Sequence, residues 1–415
     1  MIDSGGERDL AALAVPQAGA LRATGSPFGP YQLVDPCGDV VGPVTAYLND
    51  LQGRGLPATT QRSYAMALLR WFRFIWAAGV DWDQATRAEA RDFMRWLQVA
   101  GKPARPHWRT GRLPSEGAAG PAPGTVNPVT GKASPGSGYA PATVVHCETV
   151  LRAFYDYHLQ TETGPMVNPF PLARAGRAHA HHNPVEPFGR ARAGLYRPRQ
   201  AQRIPRRIPD GLFDELFAGL GSDRDRALVA LWISTGARAS ELLGIRCGDV
   251  DPGSQLVTVI RKGSRAMQPL PASADAFVWL RLYQQHMHGL VQARPDDPLW
   301  WTLRRPFRPL GYHAARAMFT RANASLGANW SLHDLRHSAA YRMARDPQMP
   351  LTDVQWVLGH VHLSTTQIYV SPVPEDVVAS VLSHHRRRAA GASTPPAPAP
   401  GYKPETLDVL FGRQP

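Results

Sequence analysis

Lysine is rare in this chain of 415 residues. It occurs four times, so that 42 of the 46 basic residues are arginine; the four are Lys102, Lys132, Lys262 and Lys403. Lys262 is alone between positions 133 and 402 and precedes Gly263, where the pattern predicts a tight turn. Because lysine can release a proton and arginine cannot, Lys262 is a candidate proton donor. Chance survival on a solvated turn is the alternative interpretation.

Cysteine and long apolar runs are scarce as well. Cys37, Cys147 and Cys247 lie far apart and form no CxxC pair, which excludes a disulfide framework and argues against a zinc site. No run of about 18 apolar residues predicts a spanning helix, and the N-terminus lacks the order of a secretory signal. We therefore expect a cytoplasmic protein that uses no membrane, metal or cofactor.

The net charge is strongly positive, at +13 with an isoelectric point near 10.1. Such a balance indicates a polyanionic partner, nucleic acid before membrane. Nine arginines and a single acid fall within residues 171–207, where Pro and Gly are frequent, so this stretch is predicted to be an extended basic linker. A linker of this kind can follow a phosphate backbone. The candidates for DNA binding are Arg190, Arg192, Arg197, Arg199, Arg203, Arg206 and Arg207.

The N-terminal half predicts a flexible arm over residues 1–36, followed by a helical domain over 37–170. Apolar periodicity predicts helices at 41–52, 58–79, 86–101 and 141–160. Thr86 and Glu89 form a capping-box pattern, and Thr59 or Thr60 is the expected cap of the second helix. A Gly- and Pro-rich insert is expected at 102–140.

A second domain is predicted over residues 208–388. Helices are expected at 210–220, 222–236, 273–288, 311–326, 333–346, 351–358, 363–370 and 374–388, with one more opening at Arg238. Two alternating runs around Lys262 predict a β-hairpin. The Pro- and Ala-rich residues 389–415 are expected to form a tail without a core. The predicted fold class is mainly α with a small β-hairpin or sheet.

The residues that carry chemistry concentrate in 331–370, with two more upstream. His333 and Arg336 lie three apart, on one face of a helix, and Tyr369 follows His360 by nine residues. A phosphodiester can be broken without metal if fixed arginines hold its oxygens, a tyrosine attacks phosphorus and an acid protonates the leaving oxygen. The six candidates are Arg238, Lys262, His333, Arg336, His360 and Tyr369.

Two neighbours are candidate supporting residues. Glu241, one turn after Arg238, could orient its guanidinium; an ordinary i,i+3 pair is the alternative. His337 follows Arg336 directly and is either part of the site or a helix residue packed on the core.

These motifs together resemble the tyrosine recombinase, or phage integrase, family over about residues 41–388. The patterns are TG-x-R-x-SE, a hairpin lysine, H-x-x-R-H, LGH and a final tyrosine; the six candidates are separated by 24, 71, 3, 24 and 9 residues. The resemblance implies an N-terminal core-binding domain, a SAM-like helical bundle that clamps DNA, and a C-terminal mixed α/β catalytic domain.

The resemblance also implies a function and roles for the candidates. It predicts a site-specific recombinase or integrase, of a mobile element or of a chromosomal system, that acts through a 3′-phosphotyrosine and a Holliday junction. The protein would be associated with the nucleoid and would work as a tetramer on duplex DNA, with accessory DNA-bending or partner recombinase proteins. Arg238 and Arg336 would clamp the phosphate and Lys262 would protonate the leaving group. His333 and His360 would hydrogen-bond the phosphate and assist proton transfer. The helix at 375–388 would dock either in a neighbouring subunit or within its own chain.

Two other kinds of protein could carry the same residues. A type IB topoisomerase or telomere resolvase would cut and reseal without exchange, and a catalytically silent DNA-binding protein would not cut at all. Intact Tyr369, Arg238 and Arg336 argue against the silent protein. The acids are not clustered as a two-metal nuclease would require.

Overall fold

The structure is a computed structural model, and it describes residues 8–10, 13–103, 122–173, 193–198, 206–367, 369, 374–391 and 403–410. The chain divides into two compact units, Met1–Gln202 and Arg203–Pro415. The mainly helical architecture with small antiparallel sheets agrees with the predicted fold class.

The N-terminal unit is a helical bundle, as predicted. Its helices are α1 (Gly42–Gly53), α2 (Ala58–Ala78), α3 (Arg87–Val99) and α4 (Pro141–Gln160). The predicted capping box is present, because the Thr86 side chain accepts from the helix backbone and Glu89 accepts from the N–H of Thr86. The cap predicted for α2 is wrong: the residue before the helix is Pro57, two positions before Thr59, and its fixed φ suits a helix start.

Aromatic side chains fill the core of this unit. The fully buried Trp71 donates its indole N–H to the Tyr155 hydroxyl at 3.0 Å, and that hydroxyl donates to the Trp82 carbonyl at 2.8 Å. The rings of Phe93 and Phe170 meet Trp71 edge-on at about 5 Å. The polar atoms of Trp71 and Tyr155 are thus satisfied, which favours the burial of these two rings.

Part of the expected flexible arm is structured, which corrects that prediction. Strands β1 (Ala20–Ala23) and β2 (Tyr31–Val34) form an antiparallel hairpin, and Leu33 is fully buried in the bundle core. Arg73 of α2 donates to the carbonyls of Gln17, Ala18 and Gly19. The sequence failed to reveal this hairpin because its strands are four residues long and its partners lie far along the chain.

Part of the expected linker and insert is also structured. Residues 193–198 return to 171–173, where the N–H of Leu195 donates to the Pro171 carbonyl at 2.9 Å. In the insert, the described residues 122–140 take part in two isolated bridges, Val126 with Ala133 and Gly138 with Gly101. The remaining insert and linker residues lie outside the described part of the chain.

The C-terminal unit surrounds helix α6 with further helices and one sheet. Its helices are α5 (Asp210–Ala218), α6 (Asp223–Thr235), α7 (Ala239–Leu243), α8 (Ala274–Met287), α9 (Tyr312–Ala324), α10 (Leu332–Ala344), α11 (Leu351–Leu358), α12 (Leu363–Gln367), α13 (Pro374–Gly391) and α14 (Pro404–Leu410). The predicted hairpin is β4 (Leu256–Ile260) paired with β5 (Met267–Pro271), and a short strand β3 (Val250–Asp251) extends the sheet. Helix α14 departs from the expected structureless tail.

Helix α6 is the central element of this unit, and its residues 227–232 are buried. It packs against α8 on one side and α10 on the other. Trp300 lies in the same core and donates to the Leu242 carbonyl at 2.8 Å, which fixes the end of α7. The end of α6 and the start of α7 are therefore held rigidly, and Arg238 lies between them. Among the described helices, none is long and apolar enough to cross a membrane.

Candidate active site

Arg238 and Glu241 occupy the start of α7. Gly236 ends α6 in the left-handed conformation, with φ of 61°, so that the chain turns and Arg238 becomes the residue before α7. The carboxylate of Glu241 accepts from the Arg238 backbone N–H and from its guanidinium, both at 2.9 Å. Burial alone would raise the pKa of Glu241, but hydrogen bonds from Lys262 and Arg238 lower it. Glu241 is therefore a buried anion hydrogen-bonded to Arg238.

Arg336, on α10, is 3% exposed and reaches three groups. Its guanidinium donates to the carbonyls of Gly236 and Leu358, each at 2.7 Å, and lies 2.9 Å from Nε2 of His360. Burial, followed by the charge of Arg238, lowers the pKa of Arg336 to about 10. The guanidinium thus stays protonated at neutral pH, and it ties α10 to the ends of α6 and α11.

His360 follows the end of α11 and is held from both ring nitrogens. Nε2 meets Arg336, and Nδ1 lies 2.9 Å from the hydroxyl of Thr366 on α12. Burial and the charges of Arg336 and Arg238 lower the pKa of His360 to about 4. The imidazole is therefore neutral at pH 7.

Tyr369 lies just beyond α12 and is 5% exposed. Its hydroxyl is 2.8 Å from Nδ1 of His337, and its ring stacks on His360 at 6.3 Å between centroids. It packs on Val354 and Leu358. Burial raises the pKa of the phenol, and the charges of Arg336 and Arg238 oppose that rise.

His337 is the hydrogen-bonding partner of the phenol. Burial, and then the neighbouring His333, lower the pKa of His337 to about 4. The ring of His333 meets that of His337 edge-on at 4.3 Å, and His333 itself is exposed on α10. The pair at i and i+4 thus forms one face that leads from solvent to the phenol.

Lys262 lies in the turn between β4 and β5, as predicted, with an exposed side chain. Its backbone N–H donates to Glu241 at 3.0 Å. The structure thus links the lysine turn to Arg238 through one carboxylate.

The cluster has an excess of positive charge. The guanidiniums of Arg238, Arg336 and Arg261 face a single buried carboxylate, Glu241. Such a group of fixed donors is suited to an anion, since the protein alone leaves the charge unbalanced. In the described part of the chain no group of three or more His, Cys, Asp or Glu residues could hold a metal ion.

The sequence matches two family models that together cover both units. The phage integrase family matches residues 213–375, and the N-terminal SAM-like domain of phage integrases matches residues 44–107. The tyrosine recombinase XerC of Azotobacter vinelandii is 32% identical over 238 residues, which are 56% of this chain and 70% of that protein. The chain belongs to the phage integrase family of tyrosine recombinases.

Other members of the family give the same picture. XerD of Neisseria meningitidis serogroup A is 29% identical over 198 residues, which are 46% of this chain and 66% of that relative. Among solved structures, the Tn1549 transposon integrase in complex with transposon right end DNA aligns with a TM-score of 0.54 at 12% identity, covering 82% of this chain and 98% of that one. A lambda integrase dimer bound to a core site aligns with a TM-score of 0.50 at 13% identity, covering 89% and 82%. At these identities the structures establish a shared fold.

Arg261 lies in the same cluster but was not among the residues predicted from the sequence. It is 4% exposed, and it donates to Glu241, to Gln268 and to the carbonyls of Trp356 and Val357. The available signal was the alternation of β4, in which Val257 and Val259 are buried, so that the next inward position is 261.

The predicted DNA-binding arginines fall into three groups. Arg197 contacts its own unit, through Thr149 at 3.0 Å and the buried Glu148 at 3.6 Å. Arg207 lies over the ring of Tyr341 at 4.3 Å, and Arg206 is exposed. The others lie outside the described residues, namely Arg190, Arg192, Arg199 and Arg203.

Proposed function

We propose that this protein is a site-specific DNA recombinase that cuts and rejoins duplex DNA through a covalent 3′-phosphotyrosine at Tyr369. The contact of the Tyr369 hydroxyl with His337, close to the guanidiniums of Arg336 and Arg238, is the observation that carries the proposal. A phenol surrounded by fixed cations is suited to attack an anionic phosphodiester, because those cations bind the charge that grows in the transition state.

In the proposed cleavage step, Arg238 and Arg336 bind the non-bridging oxygens of the scissile phosphate, with His333 as a further donor. His360, whose two ring nitrogens meet Arg336 and Thr366, holds the Arg336 guanidinium in place. The Tyr369 oxygen forms a bond to phosphorus while the bond from phosphorus to O5′ breaks, and the phenolic proton passes to Nδ1 of His337. Lys262 gives a proton to O5′, which leaves as a 5′-hydroxyl. Rejoining is the reverse, with a 5′-hydroxyl from the partner strand.

Binding of the phosphate would also change the pKa values of the two buried imidazoles, His337 and His360. The pKa of His337 and that of His360 are both about 4 in the protein without DNA, chiefly through burial. A phosphate anion placed among the same cations raises the pKa of both imidazoles, because it offsets the positive charge around them. The bound substrate therefore makes His337 a stronger acceptor for the phenolic proton.

Access to the phenol requires a rearrangement. With 5% of Tyr369 exposed, the hydroxyl contacts His337 rather than solvent. In-line attack on a phosphate outside the protein therefore needs the phenol to move outward on DNA binding, once its proton has passed to His337. This coupling would keep the nucleophile protected until a site is bound.

The proposed assembly is a tetramer on two duplex sites that exchanges strands through a Holliday junction. The net charge of +13 supports duplex DNA as the partner. The relatives that support recombination include a lambda integrase dimer bound to a core site and a transposon integrase bound to transposon end DNA. Accessory DNA-bending proteins or a partner recombinase would complete the complex.

The test uses nicked duplexes tiled across the DNA that flanks the gene. A nick close to the cut site lets the freed fragment diffuse away, so the covalent adduct accumulates and is counted on a denaturing gel. We expect an adduct with wild type, none with Tyr369→Phe, and unchanged DNA binding by both. Tyr341→Phe is the matched control, since Tyr341 lies on α10 near the site and should keep the adduct. An adduct that persists in Tyr369→Phe contradicts the proposed nucleophile.

Two-site substrates separate the alternative functions. Strand exchange between two labelled duplexes supports a recombinase. Relaxation of supercoiled DNA without exchange indicates a topoisomerase, and hairpin ends indicate a telomere resolvase. Specific binding without any adduct indicates a silent DNA-binding protein.

A further inference from the structure

Arg261 is the most extensively bonded side chain of the β4–β5 hairpin. Its Nε donates to Gln268 at 2.6 Å, across the hairpin, and one terminal nitrogen donates to Glu241 at 3.2 Å. The other terminal nitrogen donates to the carbonyl of Val357 and, at 3.4 Å, to that of Trp356. One buried side chain thus joins the hairpin, α7 and the end of α11.

We propose that Arg261 is a positioning residue that fixes the Lys262 turn relative to the segment carrying His360, and so holds Lys262 ready to protonate the leaving oxygen. The proposal rests on the proposed function, since it assumes that Lys262 serves as the acid in cleavage.

Backbone hydrogen bonds close the turn that carries Lys262. The N–H of Arg261 donates to the Ala266 carbonyl at 2.8 Å, and the N–H of Arg265 donates to the Arg261 carbonyl at 3.1 Å, which closes the turn on both sides. Arg261 lies on the buried face, so the next residue, Lys262, faces outward. Glu241, which accepts from Arg261, also accepts from the Lys262 N–H. The direction of Lys262 therefore depends on where the Arg261 side chain is anchored.

The Arg261 side chain is anchored on carbonyls at the end of α11. The last carbonyls of a helix have no partner within it. At the end of α11 the carbonyl of Val357 accepts from Arg261 and the next one, of Leu358, accepts from Arg336. Two arginines from opposite sides of the site thus hold consecutive peptide groups. Because Arg336 also meets His360, the position of the turn is tied to the position of the phosphate-binding groups.

The lack of a side chain at Gly359 leaves room for the Arg261 guanidinium. A Cβ at Gly359 would lie 3.1 Å from Nε of Arg261 and 3.2 Å from its Cζ. Residue 359 has φ of 61°, which also favours glycine. The backbone before His360 is therefore shaped to accept the flat face of Arg261.

The test compares two nicked duplexes from the flanking DNA that differ in one atom. One has the natural bridging oxygen at the scissile phosphate, and the other has sulfur in place of O5′. A thiolate leaves without protonation, because the pKa of a thiol is only about 8.5. We expect Lys262→Ala and Arg261→Gln to slow adduct formation on the oxygen duplex by about tenfold or more. Both should return to within a few-fold of wild type on the sulfur duplex.

Arg224→Gln is the matched control. Arg224 is also buried in this unit, where it bonds Asp225 and the Trp301 carbonyl away from the site. Its loss removes a buried charge of the same kind, so any defect should be equal on the two duplexes. Arg261→Lys, which keeps the charge and part of the bonding, should give an intermediate defect that sulfur also relieves; it decides the question if Arg261→Gln does not fold.

The outcomes separate the two proposals. If sulfur rescues Lys262→Ala but neither Arg261 variant, the positioning role of Arg261 is wrong and the proposed function stands. If sulfur fails to rescue Lys262→Ala, Lys262 is not the acid and the inference about Arg261 fails with it. If wild type forms no adduct on either duplex, the proposed function itself fails.

Discussion

Nδ1 of His337 lies 2.8 Å from the hydroxyl of Tyr369. The two residues are 32 positions apart, and each belongs to a motif that sequence analysis singled out. His337 was expected only to support the site. Its position makes it the closest described partner of the candidate nucleophile, while His333 lies one turn further out toward solvent. A phenol whose pKa is raised by burial needs such an acceptor before it can attack phosphorus.

Replacing His337 should therefore slow the chemical step. We expect His337→Ala to reduce the rate of adduct formation on a nicked duplex by about 100-fold, the usual contribution of a positioned base. DNA binding should be unchanged, because His337 contacts the phenol and is assigned to its proton rather than to the phosphate. Single-turnover adduct formation, with binding measured separately, checks both statements.

Asparagine at the same position separates proton transfer from orientation. The Oδ1 of His337→Asn can stand where Nδ1 stands and accept a hydrogen bond, but it cannot take a proton. We expect His337→Asn to be nearly as slow as His337→Ala. Recovery of the wild-type rate by asparagine would mean that His337 only orients the phenol.

The two buried imidazoles should make stability depend on pH. The pKa values of His337 and His360 are lowered to about 4 from about 6.5 in an unfolded chain. Between these limits the unfolded chain binds more protons, so the free energy of unfolding falls as the pH falls from about 6.5 to about 4. The contribution is fully present above pH 6.5. Urea unfolding of the chain at several pH values measures the slope.

Substitution of the two histidines identifies their share of that slope. His337→Gln and His360→Gln should each flatten the dependence between pH 6.5 and 4. His286→Gln, on an exposed part of α8, should leave it as in wild type. An equal slope in all four proteins would show that other groups cause the acid sensitivity.

Gly359 should be intolerant of a side chain for two separable reasons. Alanine in its left-handed conformation costs roughly 1–2 kcal/mol, and its Cβ would also press on Arg261 at 3.1 Å. We expect Gly359→Ala to lower the stability of its unit by at least that amount and to slow cleavage about tenfold or more. The reason for the slower rate is that Arg261 must shift and carry the Lys262 turn with it. Thermal unfolding and adduct formation are the measurements.

Gly79→Ala provides the comparison. Gly79 ends α2 with φ of 64°, and no atom lies within 4 Å of the Cβ it would gain. The variant therefore carries the conformational cost without the collision. The free energy of unfolding of its own unit should fall by a similar amount, and the cleavage rate should stay that of wild type. Equal loss of cleavage in both variants would contradict a specific effect through Arg261.

The sequence was sufficient for features that depend on local spacing. The helix at 141–160 was predicted with its observed limits, since its apolar periodicity is long and regular. Thr86 and Glu89 were recognised because a capping box needs only four residues. The lysine turn was recognised because alternating strands flank it. The roles of the six candidate residues remain predictions, although the structure gathers Arg238, Arg336, His360 and Tyr369 in one region.

Features that depend on distant partners were not predictable in this way. Arg261 lies next to Lys262, but its partners are Glu241 and the carbonyl of Val357, which is 96 residues away. Glu148, on α4, pairs with Arg197, which lies 49 residues later in a stretch expected to be an open linker. Neither contact leaves a periodic pattern. Tertiary packing decides both, and a single sequence does not encode packing in its local spacing.

The N-terminal hairpin offers a direct test of one such distant contact. Arg73 donates four hydrogen bonds to residues 17–19, including one to the Gln17 side chain at 2.6 Å. These bonds fasten the strand β1 to α2, while Leu33 of β2 is buried in the bundle. Arg73→Leu keeps an apolar stem and removes every one of these donors. Hydrogen bonds to charged groups are each worth about 1.5–3 kcal/mol, so the local opening of the hairpin should become about tenfold more frequent or more.

Hydrogen exchange of a peptide covering residues 17–36 measures that opening. Its amides should exchange at least about tenfold faster in Arg73→Leu than in wild type, because a loss of about 1.4 kcal/mol in the free energy of opening makes opening tenfold more frequent. Arg70→Leu is the control: Arg70 lies one turn earlier on α2 and donates to the Met66 carbonyl rather than to the hairpin. Exchange should stay slow in that variant. Equal protection of residues 17–36 in all three proteins would mean that burial of Leu33 alone holds the hairpin, and that Arg73 does not fasten it.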